Sequence, residues 1–194
     1  MKSSLKNMVL VLFVITAVTS SAVGVVYNMT KDPIEKADQL KTQNALSEVL
    51  PKFDNQPNDE KIEKDVDGMK LNVYTARLDG KVVGYAVETF SKNGFNGHIR
   101  LIVGFKTDGS IHNISVLSQN ETPGLGAKIS EKGSKFVAQF SGKNPDSFKL
   151  FVKKDGGDVD AITASTITSR AFTEAVNLAY KIFNEIDKEE ADNE

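Results

Sequence analysis

Asn7 to Thr30 contains no charged residue, and Met8 to Tyr27 within it is mostly apolar. Nothing else in the chain constrains its fold so tightly. At a rise of about 1.5 Å per residue, a helix of about 20 such residues spans the ~30 Å hydrocarbon core of a bilayer. Lys2 and Lys6 precede the run with no acid nearby. That excess of positive charge predicts a cytoplasmic N-terminus and sends everything after Lys31 across the membrane. Two readings stay open. One is a retained anchor; the other is a cleaved signal peptide with Ser20-Ser21-Ala22 as its small-residue cleavage site. Apolar character resumes at Val23-Gly24-Val25-Val26, beyond a usual signal core, and favours the anchor. In either case the globular part is expected outside the cytoplasm.

Composition then removes several classes of function. With Lys2 and Lys6 set aside, 22 of the 24 basic residues face all 26 acidic ones, a net of −4. Nucleic acid is not an expected partner, because its binding usually needs a basic patch. The absence of cysteine excludes disulfides, Cys-ligated zinc and Cys-bound iron–sulfur clusters. His98 and His112 are too few to suggest a metal centre. Any redox chemistry has to come from an organic cofactor.

Asp32-Pro33 reads as a helix start, with aspartate as N-cap and proline at the first helical position. Ile34, Ala37, Leu40, Ala45, Leu46 and Val49 follow at helical spacing until Pro51. Asn55 to Lys64 is polar and reads as a loop or linker. From Lys70 the period becomes that of strands. Lys70–Leu78 and Lys81–Phe90 flank an Asp79-Gly80 turn; His98–Lys106 and Ser110–Leu117 flank Asp108-Gly109. Ser91 to Gly97 reads as a Gly/Asn-rich loop between these hairpins. A short segment with Phe136, Val137 and Phe140 suggests a helix, and Phe148–Lys153 a further strand. From Ser169, the residues Phe172, Ala175, Val176, Ala179, Ile182, Phe183 and Ile186 make one continuous apolar helical face. The expected class is α+β: a hairpin-built antiparallel sheet with flanking helices, preceded by one N-terminal transmembrane helix. The expected organisation is a cytoplasmic N-terminus at 1–7, a transmembrane helix at 8–28 and a helix with linker at 29–66. An extracytoplasmic domain at 67–187 and an acidic tail at 188–194 complete it.

Two segments carry chemical promise. Asp160-Ala161-Ile162-Thr163-Ala164-Ser165-Thr166-Ile167-Thr168-Ser169 crowds hydroxyls at the start of the last helix. The first N–H groups of a helix lack internal partners and the dipole favours negative charge there, so a phosphate is one occupant; an ordinary Ser/Thr cap is the other reading. Glu121-Thr122-Pro123-Gly124-Leu125-Gly126 is a rigid loop of small residues, fit to lie against a planar ligand or to serve as a plain tight turn. Lys128, Lys132 and Arg170 are nearby cations that would neutralise a phosphate, or are simply solvated. No nucleophile–base arrangement, Walker loop or Rossmann fingerprint is visible, so no catalytic residue is expected.

The order of residues in both segments resembles the FMN-binding domain family. Asp160 to Thr166 is similar to its flavinylation motif, roughly Asp-x-x-Ser/Thr-Gly/Ala-Ala/Ser-Thr, and Glu121 to Gly126 looks like its second signature, about 40 residues upstream. Gly94-Phe95-Asn96-Gly97 and the strand from His98 resemble the glycine loop that precedes that signature. Many members carry Gly-Ala where this chain has Ala164-Ser165; both replacements are small. The resemblance covers about Lys70 to Phe183. It implies FMN joined covalently, through its phosphate, to Thr166. It implies a flavin-binding set of Asp160, Thr163, Ala164, Ser165, Ile167 and Thr168 together with Glu121, Thr122, Pro123, Gly124, Leu125 and Gly126. Asp160 would organise the turn through backbone N–H bonds or help a modifying enzyme act on the threonine. A separate flavin transferase using FAD and Mg²⁺ would attach the FMN. The short chain and single anchor look most like the RnfG-type members found in Rnf complexes, which couple electron transfer to ion translocation. The related NqrC-type member of the sodium-translocating NADH:quinone reductase is the alternative, as is a non-redox scaffold that keeps the fold without flavin. On the favoured reading the protein relays electrons between membrane subunits and has no soluble substrate. It sits in the (inner) membrane as a single-pass protein.

Overall fold

The computed structural model describes residues 4–66 and 69–191. Lys2, the expected boundary at 67 and the last residues of the acidic tail lie outside them. The chain divides into two compact units, Met1–Lys41 and Thr42–Glu194. The first is helical from Leu5 onward and belongs to helix α1 (Leu5–Val49). Its apolar side chains from Leu5 to Met29 are exposed, and α1 is long and apolar enough to cross a membrane.

The helix start expected at Asp32-Pro33 does not occur, because Pro33 lies inside α1. Proline removes one backbone donor and crowds the preceding turn. No glycine stop precedes it, and helix-forming residues follow, so the helix runs through. Its end is set instead by tertiary contacts in the second unit. The Val49 carbonyl meets His112 Nδ1 at 3.0 Å, and Asn113 Nδ2 donates to the Glu48 carbonyl at 3.2 Å. These side chains satisfy carbonyls that a helix terminus leaves without partners, just before Pro51.

The second unit is α+β. Strands β1 (Ile62–Val66), β2 (Met69–Leu78), β3 (Lys81–Gly94), β4 (Gly97–Lys106) and β5 (Ile111–Ser118) form an antiparallel sheet in the order of the sequence. Asp79 and Gly80, both at positive φ, make the tight β2–β3 turn. Alternation along the strands loads both faces. On one, Tyr74, Ala76, Ala86, Ile102 and Leu117 meet Ala45, Leu46 and Val49 of α1. Gly104 permits that approach: a Cβ there would lie 3.1 Å from the Cβ of Val49 and closer still to its carbonyl. On the other face, Val73, Tyr85, Val87, Leu101, Val103 and Phe105 pack against helix α3 (Thr166–Ala191). The Phe105 and Phe183 rings stack at 4.9 Å, and Thr89 Oγ1 donates to the Ala175 carbonyl at 2.8 Å within that layer.

Four local expectations are corrected. β1 occupies part of the stretch read as a polar linker. It is an exposed edge strand, so no apolar alternation marks it. The loop expected at Ser91–Gly97 shrinks to Phe95-Asn96, because β3 continues to Gly94. Ser91 Oγ and Asn93 Nδ2 donate to Glu174 of α3 at 2.7 and 2.9 Å, and these tertiary bonds order a polar segment. Phe148–Lys153 is not a strand. Only Val152 bridges Val159, and the main chain bonds locally with Asp158 and Asn177. The tail expected from Lys188 is helical as far as Ala191. The short helix around Phe136 is present as α2 (Lys135–Ala138).

Candidate functional site

Three segments distant in sequence converge beside the start of α3. After β5, the chain turns through Glu121–Gly126. Gln119 Oε1 accepts the Glu121 N–H at 2.5 Å, and the Thr122 carbonyl accepts from Leu125 and Ala127. The β3–β4 turn leans on this loop: Asn96 N–H donates to Glu121 Oε1 at 3.2 Å and Asn96 Nδ2 to Thr122 Oγ1 at 3.3 Å. The third segment enters α3. Ser165 N–H donates to the Ile162 carbonyl and Ser169 N–H to the Ser165 carbonyl, both at 3.0 Å. Ser169 Oγ also donates to the Ser165 carbonyl and accepts from Ile162 N–H, both at 2.9 Å, which fixes the angle of entry. Ala164 sits at φ 61°, a left-handed conformation that costs a side chain about 1 kcal/mol.

Between them lies a cleft of about 340 Å³, lined by Phe95, Glu121, Thr122, Leu125, Gly126 and Ala164 to Thr168. Its size falls within the range of about 300–1,000 Å³ usual for small-molecule sites. Phe95, Leu125 and Ile167 form an apolar rim, exposed by 62, 40 and 49 %. Below the rim, Thr168 Oγ1 donates to Glu121 Oε2 at 2.5 Å and ties the loop to the first turn of the helix.

The hydroxyls of the α3 segment thereby separate by role. Thr168 is bound to Glu121 and Ser169 to its own turn. Thr163 is exposed and faces a different depression. Ser165 and Thr166 both line the cleft with no side-chain hydrogen bond among the described residues; Ser165 is only 7% exposed, whereas Thr166 is half-buried. Beside it, the N–H groups of Thr166, Ile167 and Thr168 have no acceptor among those residues, as the first turn of a helix dictates. An anionic group reaching Thr166 would meet those donors and the positive end of the helix dipole. A planar apolar ring fits the rim. The residues present therefore suit a phosphate-bearing aromatic ligand such as FMN.

Not every expected site residue is in the cleft. Pro123 and Gly124 shape the turn but do not line the cavity, and both are exposed. Asp160 and Thr163 line the neighbouring depression with Lys128, Lys132 and Lys135. Among the described residues no backbone N–H donates to the Asp160 carboxylate. Lys153 Nζ pairs with that carboxylate at 2.7 Å, while Gln139 bonds the Asp160 N–H and carbonyl. Arg170 is engaged by Asp155 through two bonds of 2.7 and 2.8 Å. The guanidinium holds the Asp155 carboxyl below the usual carboxylate range. Phe95 and Asn96 are additions to the site; a bulky ring between Gly94 and Gly97, two strands before the second signature, is the signal for them. His98 is exposed and His112 meets the end of α1. No cluster of metal-ligating side chains occurs among the described residues.

Comparison with known proteins fits this geometry. The family model of the FMN-binding domain matches residues 94–181, which include all three converging segments, and that of the RnfG N-terminal region matches residues 1–49. The G subunit of the ion-translocating oxidoreductase complex of Vibrio cholerae is 34% identical over 95% of this chain and 93% of its own length. The chain belongs to this RnfG family. The G subunit of the Na(+)-translocating ferredoxin:NAD(+) oxidoreductase complex of Acetobacterium woodii is 37% identical over 92% of the chain and 91% of its own length. The corresponding protein of Shewanella baltica is likewise 37% identical, over 86% of the chain and 84% of its own length.

Proposed function

We propose that this protein is the membrane-anchored, FMN-carrying member of an Rnf-type electron-transport complex, with FMN bound through its phosphate to Thr166. One observation carries the reading. Of the two cleft hydroxyls without a side-chain hydrogen bond among the described residues, Ser165 is only 7% exposed whereas Thr166 is half-buried and so accessible, at a helix N-terminus whose first N–H groups have no acceptor among those residues. Those N–H groups steady the phosphate; Phe95, Leu125 and Ile167 bracket the ring; Glu121 and Thr168 hold the loop in place. FMN supplies reversible uptake of electrons, and the protein adjusts it through nearby charge and hydrogen bonds. Attachment needs a flavin transferase that moves the FMN half of FAD to Thr166 Oγ1. The new O–P bond replaces the diphosphate bond, AMP leaves, and the hydroxyl proton passes to the transferase.

Helix α1 anchors the domain, and Lys2 and Lys6 favour a cytoplasmic N-terminus with the domain on the other side of the membrane. The other membrane subunits of the complex are then its electron partners, coupled to ion translocation. Thr166→Ala tests the assignment. In cells with an active transferase it should abolish covalent flavin, while removal of a half-buried hydroxyl with no side-chain partner among the described residues should change stability by no more than about 1 kcal/mol. Undiminished covalent flavin in that variant would refute the site.

A further inference from the structure

One buried carboxylate beside the cleft has no cation paired with it among the described residues. Glu121 is 5% exposed; Oε2 accepts from Thr168 at 2.5 Å and Oε1 from Asn96 N–H at 3.2 Å. No ion pair among the described residues involves it. Two glycines from different segments make room for its oxygens. A Cβ on Gly94 would fall 2.8 Å from Oε1, and one on Gly126 2.7 Å from Oε2. Burying a charge is costly where a neutral group would serve. As a latch the side chain accepts at both oxygens, from Thr168 of the helix and from the Asn96 N–H of the β3–β4 turn, which a carboxylate can do and a glutamine amide cannot. The latch therefore fixes a negative charge at the cleft that no ion pair among the described residues offsets.

The same side chain lines the cleft that holds Thr166. We propose that Glu121 sets the reduction potential of FMN in this cleft by fixing a negative charge beside the ring; the inference rests on the cleft being the FMN site. Uptake of two electrons and one proton leaves the ring one charge more negative than before. In a titration the electrons come from the mediators and the proton from solvent. A nearby carboxylate raises the energy of that reduced form more than that of the oxidised one, and does so more strongly away from bulk water. The potential is thereby lowered. Thr168 and Asn96 hold the charge in one position, so its effect is constant from molecule to molecule.

Redox titration of flavin-loaded, full-length protein from its native membrane, in detergent at one pH above neutral, tests this. Glu121→Gln should move the midpoint potential to more positive values. Glu121→Asp, which keeps the charge, should move it less. A Glu121→Gln potential equal to or below wild type overturns the inference while leaving the FMN site intact. Wild-type protein without flavin overturns both. Should Glu121→Gln fail to load flavin, infrared difference spectra between oxidised and reduced wild-type protein decide. A carboxylate stretch that shifts on reduction, and is altered in Glu121→Asp, supports the role; its absence overturns it.

Discussion

Ala164 shows how much of the site turns on single residues. Its φ of 61° is needed to swing the chain from Ile162 into α3 with Thr166 on the cleft side. Glycine adopts this conformation freely, which accounts physically for the Gly/Ala choice at this position of the family motif. Relief of strain in Ala164→Gly is offset by greater freedom of the unfolded chain, so its stability should stay within about 1 kcal/mol of wild type. Ala164→Val, with a branched side chain at positive φ, should cost about 2 kcal/mol and lower flavin loading. Unfolding of the full-length protein in detergent, alongside in-gel flavin fluorescence, measures both. Other residue-level features were less legible in the sequence. The motif order pointed to Thr166, but nothing in it showed that Thr168 is bound to Glu121. That bond joins residues 47 apart in sequence. Asp160 was the reverse case: prominent in the motif, yet held by Lys153 outside the cleft.

At the scale of elements, the sheet was readable where apolar residues alternate and Asp-Gly marks the turns, as in β2 to β5. It was not readable in β1, an edge strand with solvent around it, or in the last residues of β3, which are polar and ordered by Glu174 of α3. The contact between α1 and β4 was also hidden, because a glycine in a strand gives no hint of what approaches it. Gly104→Ala tests that contact. The added methyl collides with the Val49 backbone, and overpacking of this kind typically costs about 1–3 kcal/mol. The expected result is a lower unfolding midpoint with covalent flavin retained, since the cleft residues are elsewhere. An unchanged midpoint would mean that the end of α1 does not pack as described.

For the whole molecule, Thr166 and the N-terminus have to lie on opposite sides of the membrane if the flavin is extracytoplasmic. The chain has no cysteine, so a single introduced thiol reports its own location. Lys154→Cys, at an exposed position of the domain, should react with a membrane-impermeant maleimide added to intact cells stripped of any outer barrier. Ser4→Cys should react only after the membrane is opened. The opposite pattern would reverse the orientation. The charge asymmetry around the apolar segment was legible from the start, whereas the continuity of α1 through Pro33 was not: a proline after an aspartate reads as a beginning.

The most direct measurement is intact mass and peptide mapping of denatured protein purified from its native membrane, with flavin fluorescence followed in the gel. Covalent attachment at the cleft predicts one FMN-sized increment, located on the peptide that contains Thr166 and at Thr166 itself. Unmodified protein from cells with an active flavin transferase, or flavin attached to any other residue, would contradict it.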